Sequence, residues 1–159
     1  NDMSKDLSKS SLFDLKEIGY DYKIKKVKVE AIKLDDFFTY TKIKKSKILF
    51  LKSDIEGNEY KLMLGAKKLF KDKQIDFFQF EFGHAARAAR VYLHDIYNFF
   101  KNYEYKLFII KTNGILPLTF SPFIENRYKG ANFLAVSIDN IPKCSDFILK
   151  NRATINSGM

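Results

Sequence analysis

An α/β protein built on an open, largely parallel sheet is predicted by three observations. A short apolar run, Ile48-Leu49-Phe50-Leu51, leads into the polar stretch Lys52-Ser53-Asp54-Ile55-Glu56-Gly57-Asn58-Glu59. Apolar residues at Leu62, Met63, Ala66, Leu69 and Phe70 then recur at helical spacing, with Lys61, Lys67, Lys68 and Lys71 between them. A second largely apolar run, Ile75-Asp76-Phe77-Phe78-Gln79-Phe80-Glu81-Phe82-Gly83, again ends in an acid and a glycine. Strand, helix, strand with near-continuous apolar strands is the pattern of a parallel sheet covered by its crossover helices.

Taken in order, the elements begin after a polar lead-in over residues 1–20. Apolar and charged residues alternate in Lys26-Val27-Lys28-Val29-Glu30-Ala31, which predicts a half-buried strand near a sheet edge. Leu34-Asp35-Asp36-Phe37-Phe38 reads as a short helical turn with aromatic anchors. The lysine-rich run from Lys42 to Lys47 reads as a solvated face before the central strand. In the helix that follows Glu59, Gly65 costs about 1 kcal/mol against alanine and marks a close helix-to-strand approach. Leu93, Ile96, Tyr97 and Phe100 form the buried stripe of a further helix, in which His94 reads as structural. Tyr105-Lys106-Leu107-Phe108-Ile109-Ile110, the turn Thr112-Asn113-Gly114 and Ile115-Leu116-Pro117-Leu118 predict a hairpin, with Pro117 confining the second arm to an edge. Ala131 to Val136 is the last predicted strand, and 141–159 is a tail without clear pattern. The domain is expected over 21–140.

Composition narrows the class. A chain of 159 residues with 46% apolar content fits one globular domain. Its apolar runs are far shorter than the ~20 residues that a membrane span needs, which predicts no membrane partner. One cysteine, Cys144, cannot form an internal disulfide, so a reducing cytoplasm is the expected compartment. The formal charge of +9 comes from scattered lysines, with arginine only at Arg87, Arg90, Arg127 and Arg152. Arginine is the residue suited to bidentate phosphate recognition, so no nucleic-acid partner is expected.

Chemistry concentrates where the strands end, since ligands of open α/β sheets bind at the carboxyl ends of strands. If the chain stays extended past Leu51, Asp54 and Glu56 point the same way, and Gly57 permits the tight turn into the helix. The competing reading makes Glu56 and Glu59 helix-start residues favoured by unpaired N–H groups and the helix dipole, and for Glu59 it is preferred. Glu81 repeats the position of Asp54, and His84 follows directly as a base or as a structural histidine. Arg87 and Arg90, three apart, share a face if helical and so either grip an anionic group or merely solvate. Two acids from separate strands do not make a metal signature, and no metal is assigned.

Six stretches in order resemble the FkbM family of S-adenosylmethionine-dependent methyltransferases. They are Ile32-Lys33-Leu34-Asp35-Asp36-Phe37, Phe50 to Glu59, Leu64-Gly65-Ala66, Phe78 to Gly83, Tyr103 to Leu107, and Gly130 to Val136. The most specific is the Lys-x-Asp-x-Glu-Gly-x-Glu run from Lys52 to Glu59. Ser53 stands where the family usually has an apolar residue, and Glu104 where it usually has glycine.

The resemblance implies a Rossmann-like class I methyltransferase sheet, mostly parallel with an antiparallel hairpin near the C-terminus. It also implies S-adenosylmethionine as cofactor and methyl transfer to a hydroxyl of a sugar or similar small metabolite. Asp54, Glu56 and His84 would be catalytic, and Glu81, Arg87 and Arg90 would bind substrate. The family's glycine-bearing cofactor loop lies upstream of everything matched, so the first strands are expected to be missing and the isolated chain inactive. The expected edge beside Ile48 to Leu51 would then favour self-association. A non-catalytic Rossmann-like remnant or ligand-binding module is the alternative.

Overall fold

The computed structural model of the chain describes residues 27–41, 47–121 and 130–149. Five strands form one sheet: β1 (Ile48–Ser53), β2 (Ile75–Phe82), β3 (Tyr105–Lys111), β4 (Gly114–Pro117) and β5 (Ala131–Ser137), in the order β1-β2-β5-β3-β4. Helices α1 (Leu34–Tyr40), α2 (Glu59–Gly65), α3 (Lys67–Lys71), α4 (His84–Ala88) and α5 (Leu93–Asn102) connect them, and a 3-10 segment, Ile138–Phe147, follows β5.

The expected α/β sheet is present, but among the described residues it is not mostly parallel. Only β1 and β2 pair in parallel; β5 returns between β2 and β3 and runs antiparallel to both, and β4 is antiparallel to β3. β1, β2 and β3 therefore point the same way, so their carboxyl ends share one edge. The predicted strand over residues 26–31 is also corrected. Lys26 lies outside the described residues, and residues 27–33 form no strand, with Val27 and Val29 exposed. An alternating pattern holds a strand only when a neighbour pairs its backbone and a core covers one face.

One face carries the main core. Phe78, Phe80 and Phe82 of β2, Phe133 and Ala135 of β5, and Leu107 and Ile109 of β3 alternate onto it, and Met63, Leu69, Phe70, Leu93, Ile96 and Phe100 come down from the helices. Phe70 is its hub. Its ring meets those of Phe78, Phe99, Phe100 and Tyr105 edge-on at 5.4 to 5.5 Å, the arrangement that aromatic quadrupoles favour. The other face is covered in part by the 3-10 segment, where Cys144 and Ile141 pack with Phe108, Val136, Phe77 and Leu134.

The helix predicted after Glu59 is two helices, broken at Ala66. The break has a cause outside the helix: the Asp35 carboxylate accepts the N–H groups of Lys68 at 3.0 Å and Leu69 at 3.1 Å. An acid satisfying the first free amides makes a helix start at that point. Gly65 does mark a close approach, but to the Lys33 backbone ahead of α1 and not to a strand. The predicted hairpin is present, and β4 is an edge strand as Pro117 requires.

Candidate functional site at the carboxyl ends of the first two strands

Parallel pairing sets Ser53 against Phe80, so Asp54 and Glu81 leave adjacent strands at the same end of the sheet. The register also sorts the side chains by face. Ser53 and Phe80 are buried toward the main core, whereas Lys52 pairs with Gln79 and Glu81 with Asn132 on the opposite, open face. Glu81 and Asp54 are both exposed, and Lys52 donates to Asp54 Oδ2 at 3.2 Å. Gln79 Nε2 donates to Asn132 Oδ1 at 3.2 Å. Lys52, Gln79 and Asn132 thus share the face of Glu81, and Lys52 contacts Asp54. Their signal in the sequence was the alternation Gln79-x-Glu81 inside an aromatic strand, and the pairing of β5 with β2 that adds Asn132 had none.

The turn carrying Asp54 is built from within. The strand ends at Ser53, and the chain bends at Ile55, so strand alternation does not extend to Glu56. Glu56 has φ 48° and Gly57 φ 100°, a left-handed pair that reverses the chain. The buried Glu59 carboxylate holds this reversal. Its Oε1 accepts from Ile55 N and its Oε2 from Gly57 N, each at 2.9 Å. Glu59 therefore shapes the site without facing it. Two buried polar atoms of the same turn, Ser53 Oγ and Asn58 Oδ1, have no hydrogen-bond partner among the described residues.

The turn after β2 closes against this one. A Cβ on Gly57 would stand 2.6 Å from the carbonyl oxygen of Ala85, next to His84. His84 is exposed at the start of α4. A Cβ on Gly83 would meet Glu81 Oε1 at 3.4 Å, and Gly130 lies beside it, donating its N–H to the Phe82 carbonyl at 3.0 Å. The shared helical face expected for Arg87 and Arg90 does not form. Helix α4 stops at Ala88, and Arg90 has left-handed φ 56°. His94 lies elsewhere, its ring 4.9 Å from that of Phe120.

The acids can orient or deprotonate hydroxyl groups at an exposed sheet end, with Lys52 compensating charge. Gly57 offers no backbone cradle to a cofactor, because the space beside it is filled by Ala85, whereas a Cβ on Gly130 would meet only Glu81 Oε1, at 3.9 Å. Among the described residues no group of three or more His, Cys, Asp or Glu side chains could hold a metal, and no helix is long and apolar enough to cross a membrane.

The family model described as the methyltransferase FkbM domain matches residues 2–107, more than half of the chain. The chain belongs to the FkbM methyltransferase family. The FkbM match takes in β1, β2 and all five helices, and with them Asp54, Glu56, Glu81, His84, Arg87 and Arg90. It ends inside β3, so β4 and β5 lie beyond it. No curated protein and no solved structure matches the chain.

Proposed function

We propose that this FkbM domain supplies the acceptor side of an S-adenosylmethionine-dependent O-methyltransferase acting on a hydroxyl of a sugar or a similar small metabolite. The observation that carries the reading is the placement of Asp54 and Glu81, both exposed, at the same end of neighbouring parallel strands. Asp54 takes the role of base or substrate-orienting acid, and Glu56 and Glu81 hold further hydroxyls. His84 is the alternative base, since imidazole is the side chain most often used for proton transfer. S-adenosylmethionine supplies an electrophilic methyl group; the work of these residues is to position the acceptor oxygen and receive its proton.

The test uses the protein as its source cell makes it, with S-adenosylmethionine carrying a labelled methyl group and a panel of sugars, amines and carboxylic acids. Label in an ether bond, stable to mild acid and base, supports the reading. Label in an ester or on nitrogen overturns the acceptor class. Saturable sugar binding with no transfer overturns the enzyme reading in favour of a non-catalytic module.

A further inference from the structure

Glu81 of β2 and Asn132 of β5 stand directly opposite each other, one residue before β2 ends, and both are exposed. Side chains opposed in this way have Cβ atoms about 4.5 to 5.5 Å apart. Gln79 orients the Asn132 amide, its Nε2 donating to Asn132 Oδ1 at 3.2 Å. With that oxygen engaged, the two N–H donors of Asn132 Nδ2 are left for another acceptor. The Glu81 carboxylate favours the same orientation, since it attracts the amino end of an amide and repels the oxygen. Yet among the described residues the carboxylate has no hydrogen-bond or ion-pair partner, Asn132 included. An acceptor and a donor thus face one gap. The next position on this face of β2 is Gly83, with Gly130 beside it, and neither has a side chain to fill the space over Glu81. A Cβ on Gly83 would meet Glu81 Oε1 at 3.4 Å, an ordinary contact, so the fold itself does not demand that emptiness.

A hydroxyl group fits such a gap and other common groups do not. It donates its proton to the carboxylate and accepts an amide N–H, and the first bond polarises the oxygen for the second. An oxygen bonded at about 2.8 Å on each side spans the pair. A methyl ether or a ketone only accepts, an ammonium group only donates, and a deoxygenated carbon does neither, so each leaves one partner unmatched. Asp54 leaves β1, the strand on the other side of β2. One and a half strand spacings, about 7 Å, therefore separate Asp54 from the gap. Two hydroxyls of one sugar ring can occupy both places.

We propose, on the O-methyltransferase reading of this site, that Glu81 and Asn132 select acceptors with a second free hydroxyl on the ring that is methylated. Gln79 is the positioning residue for the Asn132 amide. The substrate class is a diol or polyol ring, and a ring whose second hydroxyl is absent or already etherified is a poor acceptor.

The test uses the protein as its source cell makes it, labelled S-adenosylmethionine, and methyl glucoside, methyl galactoside and methyl mannoside, each beside its singly deoxygenated and singly O-methylated forms. Removing or capping one particular hydroxyl, other than the one that takes the label, should lower kcat/KM about tenfold or more. Asn132→Asp removes the donors at nearly constant size and should abolish this preference for the parent sugar. Gln79→Met frees the amide to turn and should reduce the preference severalfold, which a residue with a merely structural role would not do. The preference is a ratio taken on one preparation, so partial unfolding of a variant does not alter it. Ether label passed equally to parent and modified sugars leaves the O-methyltransferase reading standing and overturns the selection of a second hydroxyl, as does an unchanged preference in Asn132→Asp. An unchanged preference in Gln79→Met alone removes Gln79 from its role. Absence of ether label on every sugar counts against the O-methyltransferase reading and overturns this selection with it.

Discussion

Gly57 lies so close to Ala85 that a Cβ would come within 2.6 Å of the Ala85 carbonyl oxygen. This contact joins the turn after β1, which carries Asp54, to helix α4, which begins at His84. Gly57 also has φ 100°, which L side chains rarely adopt.

Gly57→Ala therefore meets both backbone strain and a backbone clash. It should destabilise the domain by about 2 to 4 kcal/mol. Urea unfolding followed by circular dichroism measures this, and an unchanged midpoint would show that the loops separate freely.

Glu59 anchors the same turn through two backbone amides. Hydrogen bonds to a charged acceptor are the stronger class, so Glu59→Ala should cost about 2 to 4 kcal/mol. Glu59→Gln keeps one acceptor oxygen and should lose roughly half of that. Equal losses in the two variants would show that packing, and not the paired amides, sets the effect.

Much of this was legible in the sequence. The aromatic run from Ile75 announces a buried strand, and the acids after both runs mark one end of a sheet; the run from Ile48, read as a central strand, is instead the edge of the described sheet, with Leu49 and Phe50 exposed. Glu59 was read as a helix-start residue, and it is buried in the first turn of α2. Its grip on Ile55 and Gly57 was not legible, because residue spacing does not say which carboxylate turns inward. The insertion of β5 between β2 and β3 was also hidden, since strand order depends on pairings between distant segments. Asp35, 33 residues from Lys68, breaks a helix that looks continuous by periodicity. Alternation at Val27 and Val29 misled for the opposite reason, having the pattern of a strand without a partner.

Ser53 is buried, and its hydroxyl has no partner among the described residues. An unmade buried hydrogen bond costs more than its removal, so Ser53→Ala should leave stability unchanged or raise it by about 1 kcal/mol. A loss beyond about 1 kcal/mol in urea unfolding would reveal a bond that the hydroxyl makes.

Tyr105 lies at the other end of the sheet, where its hydroxyl donates to the Ile75 carbonyl. Burial, with the charges of Asp76 and Asp139 adding, raises its pKa well above the ordinary 10.0. A folded pKa above the unfolded one gives a contribution complete below pH about 10 and lost as pH rises through the folded value. Tyr105→Phe should cost about 1 kcal/mol near neutral pH. Above pH about 10 the gap between the two proteins should close. Unfolding measured from neutral to strongly alkaline pH tests this, and a constant gap would show that Tyr105 does not titrate differently in the two states.

Asp54 is the residue on which the proposed chemistry turns. It leaves β1 beside Glu81 of the parallel neighbour, and its partner Lys52 is exposed, so the pair is screened and contributes little to folding. Asp54→Asn keeps the shape and removes the proton acceptor. In the protein as its source makes it, turnover should fall by about two to four orders of magnitude if Asp54 is the general base. KM for the acceptor and the unfolding midpoint should change little. Glu81→Gln, at a residue assigned to holding hydroxyls, should instead raise KM more than it lowers kcat. Wild-type turnover in Asp54→Asn together with a large loss in His84→Asn would transfer the proton to His84. A loss in neither variant would remove this sheet end from the reaction.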